Sequence, residues 1–83
     1  MPNTPTKFTR KPQTVTAVQW DGEPLTADNI FLDSQTEWRI SSKDVLYAGE
    51  TWWEVGDWII HDNNNNFNVY STKRFFEFFE PLP

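Results

Sequence analysis

The chain has 83 residues, no cysteine and a formal charge of −5. That length allows one domain at most, and the absent thiols exclude disulfide staples and thiolate metal sites. No apolar run approaches the roughly 18 residues of a membrane-spanning helix. A domain this small buries only about 60–65% of the surface that its unfolded chain exposes, so its core must be built from large side chains. Five Trp, seven Phe and two Tyr supply them, each ring removing about 150–250 Å² from water.

Residues 1–6, "MPNTPT", hold two prolines and no apolar pattern, and are expected to form a flexible arm ahead of a single domain over 7–83. The basic residues near the start have no apolar stretch behind them, so no signal peptide is expected. "QTVTAVQW" (13–20) alternates β-branched and polar residues and predicts a strand. Its two faces both carry apolar groups, Val15 and Ala17 on one and Val18 and Trp20 on the other, which predicts a central or covered strand. "DGEP" (21–24) is a turn. "LTADNIFLDSQ" (25–35) predicts a short helix capped by Thr26, with Ile30 and Phe31 as its apolar patch.

Short strands are expected over 37–42, 44–49, 50–55 and 57–62. The four asparagines 63–66 tolerate left-handed backbone angles and mark a hairpin loop leading into "FNVYS". A Ca²⁺ loop would need alternating Asp and Asn, a glycine and a closing Glu, a pattern this run lacks. In "TKRFFEFFEPLP" (72–83), Phe75, Phe76, Phe78 and Phe79 recur at helical spacing, Thr72 can cap and Pro81 stops the helix. The sum is a small β-rich α+β domain: five or six short, mostly antiparallel strands, one short helix and a C-terminal helical turn.

No catalytic, cofactor-binding or metal-binding constellation is visible. His61 is the only histidine and has no recognisable nucleophile or carboxylate partner. Asp57, after Gly56, reads as a turn former that accepts hydrogen bonds from local amides. Lys7, Arg10 and Lys11 beside Phe8 resemble a weak single-strand-binding arm. Residues 21–64, however, carry ten acids against Arg39 and Lys43, a net charge of −8 that disfavours direct binding to nucleic-acid phosphates. Glu50, Glu54, Asp57 and Asp62 could instead line one edge as phosphate mimics.

Three of the tryptophans fall within "TWWEVGDWII" (51–60). Neighbours in a strand point to opposite faces, so Trp53 with Val55 and Trp52 with Glu54 belong to different sides. Trp53 and Trp58 are expected in the core, and Trp20 half-buried at a strand end. Trp52, flanked by Glu50 and Glu54, is the ring expected to be partly exposed. It is either an interface anchor, with Glu50, Glu54 and Asp62 around it, or a packing ring under the C-terminal phenylalanines.

The motifs Arg10-Lys11-Pro12, Ala17-Val18-Gln19-Trp20, Gly56-Asp57-Trp58-Ile59-Ile60 and Phe75…Phe79-Glu80-Pro81, in this order, resemble a family of small tailed-phage and prophage proteins. Val55 stands where that family usually has proline, and the four-Asn turn replaces a Lys-Gly type of turn. The resemblance implies a phage origin and action in the cytoplasm of an infected bacterium, without implying an activity. Together with the acidic, aromatic surface it suggests a non-enzymatic accessory protein that binds a host or phage protein, such as an inhibitor of host machinery or anti-phage defence. The alternatives are a self-associating structural phage protein and a small-ligand (nucleotide) binder.

Overall fold

The computed structural model describes residues 2–10, 13–62 and 64–81, so Lys11, Pro12 and Asn63 lie outside the described residues. Within these the chain forms a small α+β domain of eight strands and two helices. In order they are β1 (Thr6–Arg10), β2 (Gln13–Gln19), α1 (Pro24–Phe31), β3 (Arg39–Ile40), β4 (Leu46–Ala48), β5 (Thr51–Trp53), β6 (Trp58–His61), β7 (Phe67–Tyr70), α2 (Thr72–Phe78) and β8 (Glu80–Pro81). The strand pairs are antiparallel. The two strands beyond the sequence reading are β1 and, paired beside it, β8. Thr6, expected in a flexible arm, opens β1, and Asn3 of that arm bonds to Asp21 and to the Gln19 carbonyl.

Two sheets result, one ordered β7-β6-β2-β1-β8 and the other β3-β4-β5. The apolar residues on both faces of β2 find their explanation here, because β2 is the middle strand of the larger sheet and each of its faces is covered. On one face Val18, Trp20 and Ile59 meet Ala27, Ile30 and Phe31 of α1 and Leu46, Ala48 and Trp53 of the small sheet. On the other Phe8, Val15, Ala17 and Ile60 meet Phe75 and Phe79. Adjacent Ile59 and Ile60 therefore enter different cores, as the period of two requires. They sit opposite Val18 and Ala17 respectively.

α1 begins at Pro24 rather than behind Thr26, with Glu23 as its N-cap. Proline suits this first position because its φ is preset and it has no N–H to leave unpaired. Thr26 is buried in the first turn, and its hydroxyl donates to Asp21 Oδ2 at 2.9 Å. In α2 the cap is Ser71, whose Oγ accepts from the Arg74 amide at 3.4 Å, while the Thr72 hydroxyl donates to the Gly56 carbonyl at 2.9 Å. The four phenylalanines do not share one buried face. Phe75 and Phe79, four residues apart, point inward, while Phe76 is 55% exposed and Phe78 stands at the margin.

Two more expectations change. Trp20 is fully buried, not half-buried, and its indole N–H donates to the Asp44 carbonyl at 2.7 Å. Asp44 adopts φ 61° in the turn between β3 and β4, where the Ser41 hydroxyl accepts from the Lys43 and Val45 amides. That turn aims the Asp44 carbonyl at the indole. Trp58, expected in the core, is only partly buried against the second cluster.

Candidate functional site

The β5 segment divides its tryptophans as strand alternation demands. Trp53 pairs with Leu46 on the inner face of the small sheet, is fully buried and donates its indole N–H to the Asn68 carbonyl at 3.0 Å. Trp52 pairs with Tyr47, which in turn pairs with Arg39. These three form one cross-strand row on the outer face. The Arg39 guanidinium lies 4.4 Å from the Tyr47 ring centroid, a cation–π distance. Trp52 ends the row and is 57% exposed; among the described residues no ring or guanidinium packs on it. The packing-ring alternative, with Trp52 beneath the C-terminal phenylalanines, is therefore overturned: those rings stack on Trp58, Tyr70 and one another. Val55 does not follow Trp53 inward, because β5 ends at Trp53 and Val55 sits exposed in the next turn.

That turn is built by Asp57. Its Oδ2 accepts from the Glu54 amide at 3.0 Å, and its own amide donates to the Glu54 carbonyl at 2.9 Å. Gly56 has φ 102°, which a side-chain-bearing residue adopts only with strain. Its amide donates to the Trp20 carbonyl, and its carbonyl accepts from Gln19 Nε2 and Thr72 Oγ1. The turn is thus tied to β2 and to the start of α2, which holds Asp57 in a fixed position.

Glu50, Thr51, Trp52, Asp57 and Val69 together line a cavity of about 280 Å³. Thr51 and Val69 are shared with an adjoining concavity of about 560 Å³ that runs along β7 to Arg74. Of the expected interface residues, the fold therefore gathers Trp52 and Glu50, and adds Asp57 and Val69. Glu54 is exposed in the adjacent turn. Asp62 belongs elsewhere. It follows the far end of β6, and its Oδ1 accepts from the Asn64 and Asn66 amides at 2.9 and 3.0 Å, closing the asparagine hairpin. The four carboxylates Glu50, Glu54, Asp57 and Asp62 accordingly do not form one row.

His61 faces Phe67 in a parallel stack at 4.3 Å, and its Nε2 lies 2.7 Å from Asn65 Oδ1. Among the described residues no group of His, Cys, Asp or Glu has the arrangement of a metal site, and no helix is long and apolar enough to cross a membrane. One residue that sequence reasoning missed is Asp21. It accepts from the Asn3 and Glu23 amides and from Thr26, joining residues near the chain start to α1. Burial pushes its carboxyl up, but these hydrogen bonds outweigh that and hold it below the usual value. The signal for it was Asp-Gly at a predicted turn; the partner Asn3 was not legible. Val69 was missed because it comes to the site from another strand.

Comparison with protein-family models, curated proteins and solved structures returns no match. The functional reading therefore rests on the surface itself.

Proposed function

We propose that the protein is a non-enzymatic binding module that docks on another protein through the surface around Trp52. The observation that carries this reading is a large aromatic side chain left 57% exposed at the rim of a cavity that also holds two carboxylates. Trp anchors of this kind dominate the energetics of protein interfaces. The fold fixes the backbone that carries the ring, since Trp52 pairs with Tyr47 across β4 and β5 and the Asp57 turn follows it. The resemblance of its motifs to small phage and prophage proteins suggests a partner among host or phage proteins in the cytoplasm of an infected bacterium. Inhibition of host machinery or defence is the role that fits such a partner.

Affinity capture from infected-host lysate tests this directly. The wild-type protein is expected to enrich a specific partner, and Trp52→Ala is expected to lose it at unchanged melting temperature. Equal capture by both proteins would refute the docking surface. A second reading, a small-ligand binder, is favoured by the concavity of about 590 Å³ bordered by Trp38, Arg39 and Tyr47. A thermal-shift screen in which nucleotides move nothing would remove it.

A further inference from the structure

The cavity beside Trp52 has a chemistry more specific than an exposed ring. Its lining combines the apolar indole and Val69 with Thr51 and the two carboxylates Glu50 and Asp57. No Lys or Arg lines it, and among the described residues no cation pairs with either carboxylate. Asp57 uses Oδ2 for its own turn, which leaves Oδ1 for another donor. The lining itself holds two carboxylates and no cation, so the local field favours a positive guest.

The neighbouring ring shows what such a guest does on this face. The Arg39 guanidinium lies 4.4 Å from the ring centroid of Tyr47, the cross-strand partner of Trp52. Trp52 is the better cation–π ring of the two and is the uncovered one. We propose that the cavity receives an arginine side chain of the protein partner, its guanidinium plane on Trp52 and its edge N–H groups on Glu50 and Asp57. Arginine fits better than lysine. A planar fork can stack on a ring and reach carboxylates at the ring's edge at once, whereas an ammonium is a compact, strongly hydrated point charge. This assignment rests on the reading of the Trp52 surface as a docking site.

The test follows the Trp52 indole N–H resonance by NMR, assigned by its loss in Trp52→Phe, during titration with N-acetyl-arginine amide. The neutral isostere N-acetyl-citrulline amide and N-acetyl-lysine amide serve as comparisons. The expected result is a saturable shift with the arginine probe in the millimolar range typical of a single-residue contact, weaker binding of lysine and none of citrulline. Glu50→Gln, at unchanged melting temperature, is expected to weaken the arginine probe about tenfold. Equal shifts with citrulline, tighter binding of lysine, no saturable shift at millimolar arginine probe, or indifference to Glu50→Gln would each overturn the assignment. If the probe fails but Trp52→Ala still abolishes partner capture, the docking surface stands and the arginine assignment falls. If Trp52→Ala leaves capture intact, both fall.

Discussion

The two faces of the five-stranded sheet are covered in different ways. One face is closed by a second sheet and α1. Both of its buried indoles, Trp20 and Trp53, donate to backbone carbonyls, so the large rings enter the core without an unpaired N–H. Among the described residues the other face is closed by the seven-residue α2 and the Phe79 beyond it. There the cohesion is ring on ring: Trp58 stacks on Phe75 at 4.1 Å, and Phe8 meets both edge-on. That cover is incomplete, because Phe76 is exposed and the buried Trp58 Nε1 has no acceptor among the described residues. A two-layer roof satisfies its polar atoms; a short helical roof supplies apolar area but leaves an orphan donor.

The largest expected effect separates these faces by truncation. Trp53→Ala should cost about 3–5 kcal/mol, a large part of the about 5–15 kcal/mol that holds a small domain together. Phe75→Ala on the other face should cost less, at the low end of that range, about 3 kcal/mol, because the short helix that carries it can settle into the space. Urea unfolding followed by circular dichroism compares them, and equal costs would erase the distinction.

A gentler pair sharpens the hydrogen-bond difference. Trp20→Phe removes a bonded N–H and part of a fully buried ring, with an expected loss of about 1–3 kcal/mol. Trp58→Phe removes a buried donor that has no partner, so its loss of ring area is partly offset and the net change should stay within about 1 kcal/mol. Thermal melts of the two variants check this, and a larger loss for Trp58→Phe would contradict it.

Acid should act on the first face through Asp21. Its folded-state pKa lies below the unfolded value of about 3.9. Its stabilisation is therefore complete above that value and is lost as pH falls through the folded one. Melting temperature recorded between about pH 6 and pH 2 should fall less steeply for Asp21→Asn than for the wild type. Parallel curves would remove Asp21 as a contributor. The smallest effect is expected at Trp52→Ala, within about 0.5 kcal/mol in the same melts, as for surface positions without buried partners.

Much of this division is legible from residue types alone. β2 has apolar residues on both faces and is the central strand. The parity of Trp52 with Glu54 and of Trp53 with the inner face follows from alternation, and both rings lie where that parity sends them. The hairpin at 62–67 could be read from its asparagines, and Asp62 at its head could have been read as an Asx-type turn former rather than a surface acid. What sequence does not carry is which segments far apart along the chain come together in space. Trp20 is buried because a turn twenty-four residues away offers it the Asp44 carbonyl. The cavity exists because β5 and β7, edge strands of different sheets, bring Thr51 and Val69 together. Trp58 stays partly open although Phe75 stacks on it, because it also borders a cavity lined by Asn3, Thr4 and Thr6, and that meeting of distant segments is a property of the assembled layers.

The central claim is that adjacent tryptophans have opposite fates, Trp53 holding the core and Trp52 left free for contact. Hydrogen exchange of the five indole N–H groups, resolved by NMR, tests it most directly. Trp20 and Trp53 should be strongly protected, and Trp52 should exchange at the rate of a solvent-exposed indole. Protection of Trp52 comparable to that of Trp53 would contradict the account.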